Sequence, residues 1–142
     1  MANTIHVDIV SAEGEIFAGP AKMVFLPAAE GELGIAPRHA PLLALLKAGE
    51  VRVQPVEGEE QFFYVGGGAL EVQPARVTVL ADTAARAADL DEAAALAART
   101  RAEEALAGKI DRIEQAAALA ELARAAAQLK LIERLRKIRG GR

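Results

Sequence analysis

The sequence predicts an α+β protein: an N-terminal β-sandwich, or flattened barrel, followed by a C-terminal antiparallel two-helix hairpin. Three observations carry that prediction. Across residues 5–81 the apolar side chains recur with a period near two, and turn-forming residues interrupt them at short intervals. Across residues 84–127, 20 of 44 positions are alanine and no proline follows Pro74, so the chain passes from strand-forming to helix-forming composition. Gly108 then splits the alanine-rich half in two. The expected domains are 1–86 and 87–142.

The first strand is read from Ile5, Val7 and Ile9 alternating with His6 and Asp8. Further candidate strands cover residues 15–18, 22–27, 42–47, 61–65, 69–73 and 76–81, with Val51 and Val53 alternating against Arg52 and Gln54. Between them stand the expected turns Glu13-Gly14, Gly19-Pro20, Ala48-Gly49, Glu57-Gly58, Gly66-Gly67-Gly68 and Pro74-Ala75. Many short strands at even spacing close on themselves or stack in two layers. The inward set would be Val7, Ile9, Phe17, Val24, Leu26, Val51, Phe63, Val65, Leu70, Val72, Val77 and Val79.

In the second half, Asp89 or Asp91 can cap a first helix, and the acids Asp91 and Glu92 suit the positive end of its dipole. That helix should run to about Ala107 and stop at Gly108. A second should start near Asp111 and reach about Ile138, ending at Gly140-Gly141 with basic residues in its last turns. Alanine faces let two helices approach closely but remove little apolar area from water. Each alanine in place of a buried leucine forgoes on the order of 1 to 2 kcal/mol. Alanine also has the highest intrinsic helix propensity, so such a hairpin can open without its helices melting.

Composition narrows the function classes. With 52% apolar residues the chain can fill one modest core plus an appendage. No apolar run, residues 41–46 among them, approaches the ~20 residues a membrane helix needs, and no leader-like segment precedes the first strand. With no cysteine and only His6 and His39 as imidazoles, a disulfide or thiolate metal site is excluded, and a cytoplasmic, metal-free protein is expected. The net charge of −3 is unevenly spread: residues 1–83 hold 11 acids and 5 bases, whereas residues 128–142 hold 1 acid and 6 bases. Lys130, Arg134, Arg136, Lys137, Arg139 and Arg142 thus form a basic end suited to an acidic partner surface. No aromatic residue lies among them for base stacking, which disfavours nucleic acid.

Residues 30–43 form the most distinctive segment. Pro37 and Pro41 fix φ, Gly31 and Gly34 permit turn angles closed to other residues, and Glu32, Arg38 and His39 stand on the resulting ledge. Order is built in, as a docking surface requires. Catalytic groups are wanting by comparison. Ser11 is the only serine, and neither histidine has an acid at a spacing that suggests a triad or metal cluster. Gly66-Gly67-Gly68 lacks the Lys and Ser/Thr of a phosphate-binding loop and precedes a strand pattern, so a bulge or turn is expected. The paired acids Glu59-Glu60 and Glu103-Glu104 diverge in strand or helix and read as solvated surface.

Several ordered segments resemble the epsilon subunit of bacterial F-type ATP synthases. They are Val10-Ser11-Ala12-Glu13, the stretch 30–43, Val65-Gly66-Gly67-Gly68, Leu70-Glu71-Val72-Gln73-Pro74, the stretch 77–84, and Asp89-Leu90-Asp91-Glu92-Ala93. The resemblance implies a non-catalytic rotor subunit whose β-domain binds the gamma subunit and sits on the c-ring, coupling proton-driven rotation to ATP synthesis. It implies a peripheral position on the cytoplasmic face of the bacterial inner (plasma) membrane, held there only through the complex. Glu32, with Arg38 and His39, would then contact the polar loops of the c-ring. Leu42, Leu43 and Leu45 would pack either in the core or on gamma, with the core taken as the expectation.

Family members can also inhibit ATP hydrolysis by extending the hairpin into the alpha/beta catalytic head. Arg124, Lys130, Arg134, Arg136 and Lys137 would be the residues attracted there by acidic segments. Some members bind ATP on the folded hairpin through an Ile/Leu-Asp-x-x-Arg-Ala motif. Here Leu90-Asp91-Glu92-Ala93-Ala94-Ala95 has Ala94 in place of the motif arginine, and Gln128 stands where strong binders have another. Asp91 and Arg124 remain as a weak residue of that site, and no cofactor is expected. The competing readings are a free-standing β-sandwich adaptor whose helices bind a coiled coil, and a small-molecule-binding or enzymatic sandwich. Co-purification with gamma separates the first from an epsilon subunit, and nucleotide-soaked crystals would expose the second.

Overall fold

The computed structural model describes residues 3–140 and divides into two compact units, Met1–Arg86 and Ala87–Arg142. The first contains seven strands: β1 (Ile5–Ser11), β2 (Gly14–Ala28), β3 (Gly31–Ile35), β4 (Leu42–Pro55), β5 (Gln61–Gln73), β6 (Arg76–Ala81) and β7 (Ala84–Arg86). They form one sheet in the order β1-β6-β5-β4-β2-β3, with β7 on β5. Because β1 also pairs with β2, the ring β1-β6-β5-β4-β2 closes on itself as a flattened barrel. Closure leaves few free edges. The one parallel pair is β1 with β6, in register His6↔Arg76 through Val10↔Leu80, and an Arg76–Asp8 ion pair crosses that seam.

Strand alternation decides which side chains enter the barrel. Val7, Ile9, Val24, Leu26, Val51, Phe63, Val65, Leu70, Val72, Val77 and Val79 are buried as expected, while Phe17 is only partly buried and packs against the cluster. Ile5, Ile35, Leu46 and Val53 join them. The rings of Phe17 and Phe63 meet at 5.4 Å between centroids, tilted by 58°, a favourable aromatic geometry.

Three expected turns prove to be the interiors of long strands. Gly19-Pro20 lies within β2, paired with Val7 and His6. There β2 has only β1 beside it, since pairing with β4 begins at Ala21, so the missing proline N–H breaks no second ladder. Ala48-Gly49 lies within β4, where a Cβ on Gly49 would stand 2.7 Å from Pro27 Cβ. The glycine marks a close approach of β2, not a reversal of the chain. Gly66-Gly67-Gly68 lies within β5, and pairing with β4 runs through it in unbroken register from Leu42↔Val72 to Val53↔Gln61. Opposite, β6 and β7 are successive stretches of one line along β5, separated at Asp82-Thr83. Three long bent strands thus replace six short ones.

In the second unit a single 3-10 turn, Ala87–Asp89, precedes α1 (Glu92–Ala107) and α2 (Arg112–Gly140). Of the two candidate caps it is Asp91 that accepts the Ala94 N–H, at 3.1 Å. Gly108 ends α1 with its N–H on the Ala105 carbonyl. Asp111 and Glu114 make a reciprocal capping box at the start of α2: the Glu114 N–H donates to Asp111 Oδ1 at 2.8 Å, and the Asp111 N–H to Glu114 Oε1 at 3.5 Å. α2 runs through Gly140, past the expected end near Ile138; Gly141 and Arg142 lie outside the described residues. Ion pairs Arg101–Glu121 and Arg136–Glu92 set the helices antiparallel. The buried residues are Ala95 and Ala102 on α1, and Ala118, Ala125 and Leu131 on α2. The seven-residue alanine spacing on each helix keeps one small-residue face turned inward.

Candidate functional site: a rim of strand ends and turns

The segment 30–43 is more regular than its glycines and prolines suggest. Glu32 lies in β3, paired with Pro27 of β2, so a ladder positions it as well as the flanking turns. Gly34 sits close to β2: a Cβ would stand 2.9 Å from Met23 Cε and 3.1 Å from the Phe25 ring, so a larger residue there would make the Met23 side chain swing aside. Beyond β3 the chain turns at Pro37-Arg38 and re-enters as β4 at Leu42. Arg38 adopts φ 66°, the one positive φ outside glycine among the described residues, and its N–H donates to the Pro74 carbonyl at 2.9 Å. His39 Nδ1 lies 2.7 Å from the Ala40 carbonyl oxygen.

Between β3 and the first half of β4 lies an open groove of about 620 Å³, lined by residues 28–33 and 42–45. Its wall carries the carboxylates of Glu30 and Glu32 and the apolar side chains of Leu43 and Leu45. Arg38 and His39 are not among the lining residues, so the expected ledge is divided: Glu32 belongs to the groove, Arg38 and His39 to the turn at its far end. Leu43 and Leu45 are 78% and 70% exposed, which corrects their expected placement in the core. Period-two alternation puts both on the outer face, while Leu46, in phase with Leu42 and Ala44, is buried on the inner face. Leu45 continues through Ala69 to Leu80, itself 55% exposed, as an apolar row across three strands. Isolated exposed leucines are ordinary, but a contiguous row beside two carboxylates marks a contact surface.

The left-handed backbone at Arg38 yields a direct expectation. A non-glycine residue there carries roughly 1 to 2 kcal/mol of strain, which glycine relieves and a β-branched residue worsens. Arg38→Gly should therefore melt within a few degrees of the parent, whereas Arg38→Val should lose about 1 to 2 kcal/mol by denaturant titration. Equal losses in both would show that the guanidinium, and not the backbone, matters for stability.

The basic candidates lie on α2. Lys130, Arg134, Arg136 and Lys137 are exposed and Arg124 is half-buried. Arg136 Nη2 is 3.0 Å from Glu92, and Lys137 Nζ is 3.5 Å from Glu133. Asp91, the remaining acid of the suspected nucleotide motif, uses its carboxylate as the cap of α1. Among the described residues no group of three or more His, Asp or Glu side chains is placed to hold a metal ion, and no helix is long and apolar enough to cross a membrane.

A closed β-barrel with a charged, partly apolar rim, joined to an alanine-packed helical hairpin, defines a class of protein built to hold partners. Residues 4–87 match the family model of the ATP synthase delta/epsilon chain β-sandwich domain, and residues 88–133 that of its long α-helix domain. The chain belongs to the ATP synthase delta/epsilon chain family. It is 66% identical over 137 residues to the ATP synthase epsilon chain of Nitrosococcus oceani, spanning 96% of this chain and 98% of that one. It is 63% identical over 135 residues to the epsilon chain of Alkalilimnicola ehrlichii, spanning 95% and 96%. A chain in the cryo-EM structure of the Euglena gracilis mitochondrial ATP synthase, OSCP/F1/c-ring in rotational state 1, shares the fold with TM-score 0.69 at 18% identity, covering 97% of this chain and 82% of that chain. A chain from the Tetrahymena thermophila mitochondrial central stalk and c-ring does so with TM-score 0.63 at 14% identity, covering 90% and 96%.

Proposed function

We propose that this chain is the epsilon subunit of a proton-translocating F-type ATP synthase, a non-catalytic part of the rotor that couples c-ring rotation through gamma to the alpha/beta head. The observation that carries the reading is the rim: a rigid barrel presents Glu32 from a paired strand and two exposed leucines from the next, a surface already ordered before any partner arrives. Preformed order lowers the entropy lost on docking. Glu32, Arg38 and His39 meet the polar loops of the c-ring. Leu43 and Leu45, excluded from the core by their exposure, pack on gamma. The protein is peripheral, held through the complex at the cytoplasmic face of the bacterial plasma membrane.

The hairpin serves as the regulatory arm, with Arg124, Lys130, Arg134, Arg136 and Lys137 drawn to acidic segments of the catalytic head when it extends. Nucleotide binding on the folded hairpin is weak or absent: Ala94 supplies no side-chain donor, and the Asp91 carboxylate already accepts the Ala94 N–H. The test is an assembled enzyme truncated after Gly108. If the extended state holds half of the complexes, removing residues 109–142 should roughly double ATP hydrolysis. Unchanged hydrolysis would remove the inhibitory role, and failure of the full-length chain to co-purify with gamma would remove the rotor role.

A further inference from the structure

The two helices are joined by the turn between Gly108 and Asp111, so the opposite end of the hairpin, where α1 begins and α2 finishes, is its open end. Few side chains are fully buried there, Ala95 on α1 and Leu131 on α2. A cleft of about 490 Å³ is lined by Glu92, Leu96, Arg99, Leu129, Glu133, Arg136 and Lys137. Leu96 remains 40% exposed, and the buried interface residue nearest the start of α1 is only an alanine, Ala95. Across this cleft Arg136 Nη2 reaches Glu92 Oε1 at 3.0 Å, joining residues 44 apart in sequence.

Both charges are well placed even before they meet. Glu92 is in the first turn of α1, where the helix dipole favours an anion, and Arg136 is near the end of α2, where it favours a cation. Pairing them across the hairpin therefore costs neither helix its preferred terminal charge. Arg101 and Glu121, 3.3 Å apart, repeat the arrangement closer to the turn, with the donor again on one helix and the acceptor on the other. The arginines stay mostly in water and the glutamates partly so, which keeps each pair modest and responsive to salt.

We propose that the Glu92–Arg136 pair is an electrostatic clasp that holds the open end of the hairpin shut, making closure of the hairpin sensitive to ionic strength and to any acidic surface that competes for Arg136. The clasp concerns the hairpin alone and stands whether or not the extended tail inhibits hydrolysis. It matters here because few side chains are buried at that end, Ala95 on α1 and Leu131 on α2, so one surface pair is a sizeable share of what closes it.

The test uses the full-length isolated protein, whose lack of cysteine allows a single reporter, Ala95→Cys, at the buried position next to the clasp. Its rate of modification by an uncharged maleimide, relative to a free cysteine peptide at the same salt, reads the open fraction even when that fraction is small. At low salt Glu92→Gln and Arg136→Gln should each raise the rate about two- to fivefold, as expected for one exposed pair. The double variant should be no faster than either single, and all four rates should converge in 1 M NaCl. Single variants that label at the parent rate, or effects that multiply in the double variant, would overturn the clasp. Circular dichroism guards against a melted hairpin: a gain in labelling accompanied by loss of helical signal also counts against it.

Discussion

Gly68→Ala should be the most destabilising single change in the barrel. At this position φ is +136°, a backbone region open essentially to glycine, and a Cβ would lie 2.2 Å from the Leu80 carbonyl oxygen and 2.9 Å from the Ala81 Cα. The obstructing atoms are backbone, so no side-chain rotation relieves the clash. Gly68 pairs with Leu46 of β4 on one side and Ala81 of β6 on the other, and a shift large enough to admit the methyl group must disturb two ladders. Backbone strain and overpacking together predict a loss of about 3 kcal/mol or more. For a domain of this size that is a drop in melting temperature of roughly 12 °C or more. Gly67→Ala makes a useful comparison: its nearest obstruction is the Asp82 carboxylate at 3.2 Å, which can swing away, so backbone strain at φ +106° is the main cost and the loss should be smaller. Equal losses at the two positions in calorimetry would show that the close approach of β6 is not the cause.

The second large effect falls on binding and leaves the fold alone. Leu43→Glu with Leu45→Glu replaces two side chains that are already mostly in solvent, so the melting temperature of the barrel should move by only a few degrees. The groove already carries Glu30 and Glu32. Two more carboxylates would turn the proposed apolar contact with gamma into a buried, like-charged one. Losing an apolar anchor at the centre of an interface costs on the order of 2 kcal/mol, about 30-fold in affinity, and uncompensated burial of charge adds to that. Capture of the purified variant by gamma should therefore weaken by at least that factor, while Lys47→Glu, also exposed on β4 but outside the groove, should bind as the parent does. Undiminished capture by the double variant would move the gamma contact off this face.

Much of this architecture is legible in the sequence because one side of each strand faces a core and alternation records it. The alternating valines of 51–53 and 77–79 needed no tertiary information. Helix ends are legible in kind, because Gly108 and an aspartate cap act within one turn, but the sequence leaves Asp89 and Asp91 equal as the cap, and only the structure shows Asp91 accepting the Ala94 N–H and Glu114 reciprocating with Asp111. What escaped was the role of glycine and proline in long strands. Gly49 and Gly68 resemble turn residues, yet each is demanded by a distant segment, Pro27 for one and Leu80 for the other, and no local pattern reveals such a neighbour. The same limit applies to the rim. Glu32, Arg38 and His39 look contiguous along the chain, but β3 carries Glu32 into the groove while Arg38 and His39 stay with the turn. The exposure of Leu43 and Leu45 was, in retrospect, recorded in the sequence: Leu42 and Ala44 alternate with them and pack against the core, but a run of leucines hides alternation that a polar residue would have displayed.

The parallel pairing of β1 with β6 has a temporal consequence. His6 meets Arg76 and Val10 meets Leu80, so β1, which can pair at once with β2, cannot meet its second neighbour until some 70 further residues have left the ribosome. Until then the ring lacks its closing strand. Contacts this distant in sequence form slowly, whereas a hairpin with a tight turn assembles from near neighbours. The nascent barrel therefore spends most of its synthesis with β1 paired on one flank only, and the completion of β6 is the moment at which the other flank closes.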